Sequence, residues 1–244
     1  MSRVPEKRYD VNAFLRACGI VLKFTNMHRS RNGSLAGQTE IPDIAIQRLP
    51  LYLRALTQLH EKGQRITSSQ ELARHLQISS AQIRKDLSYF GEFGKQGTGY
   101  EIPFLIDQLK DILHLNAEWG MALVGAGDLG HALVHFNGFR QRGFYVAAIF
   151  DNNPSKIGHP VGELVIQDEA HIPKVVAQLG LKIGVMAVPP SAAQGVAEAL
   201  IKGGVRSILN YAPITLSLPE GIHVHYIDPV IGLQAMTYYL AHRR

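Results

Sequence analysis

Cysteine is almost absent from this chain of 244 residues: Cys18 is the only one. One thiol excludes an intrachain disulfide and leaves no thiolate set for a structural zinc site, so no metal is expected. That economy fits a reducing cytoplasm. Long apolar runs are missing too; none approaches the ~20 residues that cross a bilayer, so no membrane anchor is expected. A leader pattern is also lacking, because Arg8, Asp10 and Arg16 interrupt every apolar stretch near the start. Acidic residues are outnumbered, 20 against 25 Lys and Arg, for a net charge of +5. The excess sits at the beginning. Residues 1–40 carry 7 basic and 3 acidic side chains, residues 41–118 carry 9 and 9, and residues 119–244 carry 9 and 8. Overall charge therefore says little about a polyanionic partner, and only local clustering argues for one. With 46% hydrophobic residues, the chain has enough apolar material and length for two packed domains.

Residues 1–40 show little sustained pattern. Phe14 to Phe24 suits a short helix, and His28 to Thr39 is rich in Arg, Ser, Asn and Gly, as flexible chain is. Helical signals run from Asp43 to Leu115. Pro50 suits the first turn of a helix whose apolar face is Leu51, Leu53, Leu56 and Leu59, ending at Gly63. Ser68 with Glu71, and Ser79 with Gln82, are capping boxes that open two short helices, with Gln77 and Ile78 as the break between them. Two short helices and a tight turn make a helix-turn-helix. Gly91, Gly94, Gly97 and Gly99, flanked by aromatics, then predict a hairpin, which completes a winged helix. Pro103 opens a linking helix through Leu105, Leu109 and Leu113.

From Trp119 the period changes. Met121–Val124, Tyr145–Phe150, Ile183–Val188 and Ser207–Leu209 read as short buried strands, and Ala192–Lys202 as a helix between the last two. Alternation of this kind predicts a parallel α/β sheet. Asp228 is a helix N-cap before Pro229. Val230, Ile231, Leu233, Ala235, Met236, Tyr238, Tyr239 and Leu240 lie nearly all round that last helix, so it should be buried on most sides, against its own chain or a partner subunit. The expected organisation is an extension (1–42), a winged-helix domain (43–118), a Rossmann domain (119–227) and a C-terminal helix (228–244).

Gly125-Ala126-Gly127-Asp128-Leu129-Gly130 fits G-x-G-x-x-G, after a strand and before a helix, where a dinucleotide's pyrophosphate is cradled. Asp151, 21 residues after Gly130, stands where an acid hydrogen-bonds the adenosine ribose. Asn152 and Asn153 follow it. With no Lys or Arg among them to hold a 2′-phosphate, NAD(H) is expected over NADP(H). Val188-Pro189-Pro190-Ser191 and Asn210-Tyr211-Ala212-Pro213 follow later strands, and are either nicotinamide-facing loops or ordinary turns. On the second helix of the pair, Ser79, Ser80, Gln82, Arg84 and Lys85 are the polar residues that base edges or phosphates would meet, with Lys95 on the wing. Asp86 and Glu92 offset them, and a solvated helix face is the plainer reading.

The string Arg84-Lys85-Asp86-Leu87-Ser88-Tyr89-Phe90-Gly91-Glu92-Phe93-Gly94-Lys95, then Gly97 and Gly99-Tyr100, resembles the Rex family of bacterial redox-sensing transcriptional repressors. The Gly125–Gly130 loop, Asp151, Asn210 to Pro213 and Asp228 share the resemblance, which runs from Ile44 to Leu240. It implies a homodimer of winged-helix and Rossmann domains with a C-terminal helix exchanged between subunits. It also implies binding to double-stranded operator DNA when NADH is scarce, and release by NADH. Arg84 and Lys85 map to recognition-helix contacts, Lys95 and Gly97 to the wing, and Gly125 to Gly130 with Asp151 to the NAD(H) site. Asp228 maps to a conformation-dependent contact with the partner's DNA-binding domain, in which Arg54 takes part. Two positions depart from the family: Gln96 replaces a basic residue and Thr98 a small aliphatic one, which should lower the salt dependence of binding slightly. Residues 1–40 have no counterpart. One rival is an NAD-dependent dehydrogenase, but no Tyr-x-x-x-Lys pair and no Rossmann-half cysteine supplies an acid or base, and His131 and His135 suit surface or packing roles better. The other rival is a winged helix used for protein contacts beside a nucleotide module.

Overall fold

The computed structural model describes residues 41–95 and 97–241. They form two compact units, 41–117 and 118–241. Cys18 and the helix expected over Phe14–Phe24 lie outside the described residues, as do Gln96, the Lys95 side chain and residues 242–244.

The first unit runs α1 (Asp43–Glu61), β1 (Ile66–Thr67), α2 (Ser69–Leu76), α3 (Ser80–Ser88), β2 (Gly94–Lys95), β3 (Gly99–Glu101) and α4 (Ile102–Ile112). Pro50 lies inside α1 and does not open it, which corrects the sequence reading. The ring removes the donor for the Ile46 carbonyl. Both residues are on the exposed side, where water can take that donor's place. The buried stripe accordingly begins earlier, at Ala45, Leu49, Tyr52, Leu56 and Leu59, in steps of four and three. Leu51, expected in the core, is exposed.

Ser68 and Ser79 each cap a helix by accepting from the N–H three residues on, both at 3.2 Å. The return halves of the boxes go elsewhere: Glu71 accepts from Gln64 and Thr67. Gln77 takes a left-handed conformation (φ 56°) to end α2 and turn the chain into α3. β1, β3 and β2 form an antiparallel sheet in that order, with the wing between β2 and β3.

One polar cluster lies inside this unit. Asp86 on α3 is fully buried. Its carboxylate accepts from Arg48 Nε (2.5 Å) and Nη2 (2.7 Å), from the Tyr52 hydroxyl (2.5 Å) and from Gln82 Nε2 (2.7 Å). Burial alone would raise the Asp86 pKa, but the bonds from Arg48, Tyr52 and Gln82 outweigh it and hold the carboxyl below its usual range. The cluster thus fixes α3 against α1 by charge as well as by the contacts of Ile83 and Leu87.

The second unit is a seven-stranded sheet in the order β10-β9-β8-β4-β5-β7-β6. Its strands are β4 (Trp119–Val124), β5 (Phe144–Asp151), β6 (Pro160–Val161), β7 (Leu164–Asp168), β8 (Ile183–Met186), β9 (Ser207–Asn210) and β10 (His223–Tyr226). All pairings are parallel except β6 with β7. Without β6, the order is the 3-2-1-4-5-6 of the dinucleotide fold. The helices are α5 (Asp128–Val134), α6 (Asn137–Arg140), α7 (Ile172–Gln178), α8 (Pro190–Lys202) and α9 (Pro229–Ala241). Alternate residues of β4 enter separate cores: Ala122 and Val124 on one face, Met121 and Leu123 on the other.

β6, β7, β10, α6 and α7 were not expected. They are short, and β7 and β10 are only partly buried, so their apolar periodicity is weak. Val188 lies beyond the end of β8 rather than in it. α9 is capped as expected, with the Val230 N–H donating to Asp228 Oδ1 at 2.9 Å. Of the two covers expected for it, its own chain supplies none: no residue of α9 is buried in the single chain, and Val230, Ile231, Leu233, Met236, Tyr238, Tyr239 and Leu240 are 52–76% exposed.

Replacing Asp86 by Ala leaves Arg48 and Tyr52 without their common partner, and should cost about 3 kcal/mol in urea unfolding at pH 7. The difference from the unchanged protein should shrink in acid. A carboxyl held low when folded contributes above its unfolded value of about 3.9, and loses that contribution as pH falls through the folded value. Equal urea midpoints at pH 7 would show that the cluster stabilises nothing.

Candidate nucleotide site and candidate nucleic-acid face

The strand order reverses between β4 and β8, and the chain crowds there. Ala187 N–H donates to the Val124 carbonyl (2.8 Å), and Gly125 N–H to that of Phe150 (2.8 Å). Gly125 has φ +101°, and a Cβ on it would stand 2.2 Å from the Ala187 oxygen. A Cβ on Gly130 would meet the Gly125 oxygen at 1.9 Å. At both positions only glycine lets the loop close against the sheet and α5. Gly127, the N-cap of α5, is different: a Cβ there meets nothing within 4 Å. The space beside its backbone is open, as a pyrophosphate requires. Asp128 and Leu129 follow in the first turn, exposed and half-buried, and Ala126 is buried. Val188 reaches the same place, its Cγ1 lying 3.2 Å from where a Gly125 Cβ would be, and Pro189 caps α8 beside it. The structure therefore brings together Gly125 to Gly130, Val188 and Pro189 at the carboxyl ends of the strands.

Asp151 ends β5 at the rim of this crevice. Its Oδ2 accepts from Ala126 N–H (2.8 Å) and its Oδ1 from Asn153 N–H (2.8 Å). Burial by itself raises this carboxyl. The Asn153 and Ala126 N–H groups, together with Lys156, outweigh burial and keep it below its usual range, so it is anionic at neutral pH. Lys156 corrects the sequence reading that no cation stands near. Its Nζ is 3.1 Å from Asp151 Oδ2. The turn Asn153-Pro154-Ser155 folds Lys156 back: Ser155 N–H and Oγ both bond Asn153 Oδ1, and Lys156 N–H bonds the Asn153 carbonyl. The Asn-Pro turn was a visible signal for this return. Asn210, fully buried, bonds Ala212 N–H and the Ala212 and Ile214 carbonyls, which fixes the loop after β9.

On the first unit, Arg84 and Lys85 are exposed on α3, with Ser79 and Ser80 at its start. The Arg84 guanidinium donates to Ser69 Oγ (2.9 Å), leaning toward the N-terminus of α2 and the wing. A groove of ≈ 690 Å³ lies there, lined by Ser68, Ser69, Arg84, Gly97 and Tyr100 among others. The Gln82 amide nitrogen donates inward to Asp86, while the residue stays half-buried on α3. Asp86, read as an acid offsetting this face, is buried and does not offset it. Arg54 is exposed on α1, and Asp228 is the α9 cap. Among the described residues, no group of three or more His, Cys, Asp or Glu could hold a metal ion, and no helix is long and apolar enough to cross a membrane.

The glycines separate binding from folding. Gly127→Ala should shift Tm by no more than about 4 °C, since only an N-cap preference is lost. It should weaken NADH binding at least about tenfold by filling the pyrophosphate's approach. Gly130→Ala should instead cost about 3 kcal/mol of stability by overpacking. Calorimetry and NADH fluorescence titration distinguish the two, and unchanged NADH affinity in Gly127→Ala would remove the loop as the phosphate cradle.

Comparison with known proteins agrees with both units. Residues 40–88 match the family model described as "Putative DNA-binding protein N-terminus", and residues 116–214 match "CoA binding domain". The chain is 54% identical over 200 residues to the redox-sensing transcriptional repressor Rex of Chloroflexus aggregans, covering 82% of this chain and 94% of the relative. It is 43% identical over 199 residues to that of Streptomyces coelicolor, covering 82% and 77%. Among solved structures it is similar to RSP in complex with β-NAD+ and operator DNA (TM-score 0.78, 32% identity, 83% and 93% covered) and to RSP in complex with β-NADH (0.75, 30%, 83% and 95%). Two units of these kinds in one chain, with identity at this level over most of its length, place it plainly: the chain belongs to the Rex family of redox-sensing transcriptional repressors.

Proposed function

We propose that this protein represses transcription by binding double-stranded operator DNA, and that NADH bound at the Gly125–Gly130 crevice releases it. The observation that carries this reading is the pairing, in one chain, of a winged helix with a dinucleotide fold whose Gly127 backbone lies open. Its relatives are named as repressors, so the chain is a regulator and not an enzyme. RSP on operator DNA holds NAD+, which supports NAD+ as compatible with binding to DNA.

The ligand is NAD(H), with pyrophosphate on Gly127 and the start of α5, ribose at Asp151, and the nicotinamide half toward Val188 and Pro189. The residues present fit it, because the crevice leaves room where a Gly127 Cβ would otherwise stand. Reduced nicotinamide is neutral and the oxidised ring is cationic, so a dry pocket favours NADH. NADH shifts the protein only insofar as it prefers the state that does not bind DNA.

The DNA-binding state presents two recognition helices, α3 of each protomer, to successive major grooves. Arg84 and Lys85 supply base or phosphate contacts from α3, with Ser79 and Ser80 at its N-terminus; Lys95 and Gly97 serve the wing. A homodimer is supported by α9, whose apolar surface finds no cover in its own chain. It is supported too by the sheet, where Ile183 and Leu209 stay half-buried. The connection from β9 to β10 contains no helix. In this reading α9 is exchanged, with Asp228 and Arg54 in a contact that changes between states. The domains then run 43–118, 119–227 and 228–244. The protein acts in the cytoplasm, with neither metal nor membrane as partner.

Fluorescence anisotropy on a labelled palindromic duplex from its own promoter region tests the DNA-binding part. The unchanged protein should discriminate this duplex from a scrambled one, and Arg84→Ala should cost about 1–3 kcal/mol of affinity, roughly 5- to 150-fold. An Arg84→Ala protein that binds as tightly as the original would remove α3 as the reading element.

A further inference from the structure

Resting on the dinucleotide reading above, we infer that Lys156 is a specificity-determining residue for the 2′ position of the bound nucleotide's adenosine ribose. An acid at the end of the second parallel strand rejects a 2′-phosphate by charge repulsion, provided the acid is bare. Here it is not bare. Lys156 Nζ lies 3.1 Å from Asp151 Oδ2, so the rim where the ribose hydroxyls arrive carries a paired charge rather than a lone negative one.

The pairing follows from how the chain is built. Asp151 spends one lone pair of Oδ1 on Asn153 N–H and one of Oδ2 on Ala126 N–H, bonds that bind the carboxylate to the strand end and to the glycine loop. Those bonds set the position of the carboxylate whether or not Lys156 is present. Lys156 adds a cation from the far side of the Asn153-Pro154-Ser155 turn, and its side chain remains 37% exposed. A side chain so exposed can swing from the carboxylate to an arriving phosphate without breaking the packing around it. Asp151, only 8% exposed, has no such freedom.

Each group therefore acts differently on the two nucleotides. The ribose 2′-hydroxyl of NADH needs an acceptor, which Asp151 supplies with or without the lysine. The 2′-phosphate of NADPH needs relief from the carboxylate's charge, which only Lys156 supplies among the residues bonded to that carboxylate. Removing Lys156 should change NADH binding little and NADPH binding much. The lysine softens the rejection of NADPH; the carboxylate enforces it.

The test is isothermal titration of NADH and NADPH into the full-length protein, unchanged and as Lys156→Gln and Lys156→Arg. The quantity read is the ratio of the NADPH Kd to the NADH Kd. Lys156→Gln should raise that ratio about tenfold over the unchanged protein, because the cation that offsets the carboxylate's charge is lost. Its NADH Kd should stay within about threefold, and Lys156→Arg, which keeps the charge, should leave the ratio within about threefold. A Lys156→Gln ratio unchanged while NADH still binds would overturn the inference. A rise in the ratio with Lys156→Arg as large as with Lys156→Gln would also overturn it, since the charge would then not be the cause. Failure of the unchanged protein to bind either nucleotide would overturn the dinucleotide reading, and this inference with it.

Discussion

The carboxyl end of the second unit's sheet depends on one carboxylate tied down by two backbone donors. Asp151 joins three pieces of chain: the end of β5, the glycine loop through Ala126 N–H, and the Asn153 turn through its N–H. Burial opposes a charge there, and these donors overcome it. The glycine loop in turn can take that position only because Gly125 and Gly130 carry no side chain at the two points where backbone meets backbone. The shape of the crevice is thus set by contacts within the chain itself.

The first unit solves a similar problem with another buried acid. Asp86 lies on the helix proposed to read DNA, yet it faces inward, where Arg48, Tyr52 and Gln82 satisfy it. α3 is therefore held on its inner side by a charged cluster and shows Arg84 and Lys85 on its outer side. This arrangement gives local meaning to the charge balance of residues 41–118. Asp86 and Arg48 are both counted in that segment and are paired with each other inside the unit, so the balance there is unchanged and the exposed charges of α3 are Arg84 and Lys85.

Much of this was legible in the sequence. The strand, glycine loop and acid of the Rossmann half follow fixed spacings, and Ser68 and Ser79 announce their helices by a local hydrogen bond that depends on three residues only. What was missed depends on partners distant in sequence or on weak periods. Pro50 looked like a helix start because the rule is local, whereas α1 accommodates it on an exposed side that only the packing of Leu49 and Tyr52 defines. Asp86 looked like a surface acid because its partner Arg48 lies 38 residues away. Lys156 was passed over because the reading stopped at Asn153, one turn too early. For α9, composition said that the helix needs cover and left its source open between its own chain and a partner subunit; its own chain does not supply it.

The central claim is that nucleotide redox state controls DNA binding through these two units. It is tested most directly by titrating NADH, and separately NAD+, into a preformed complex of the protein with its labelled operator duplex, followed by anisotropy at fixed salt. The account predicts release by NADH at far lower concentration than by NAD+. Specific DNA binding that is indifferent to both nucleotides would contradict it.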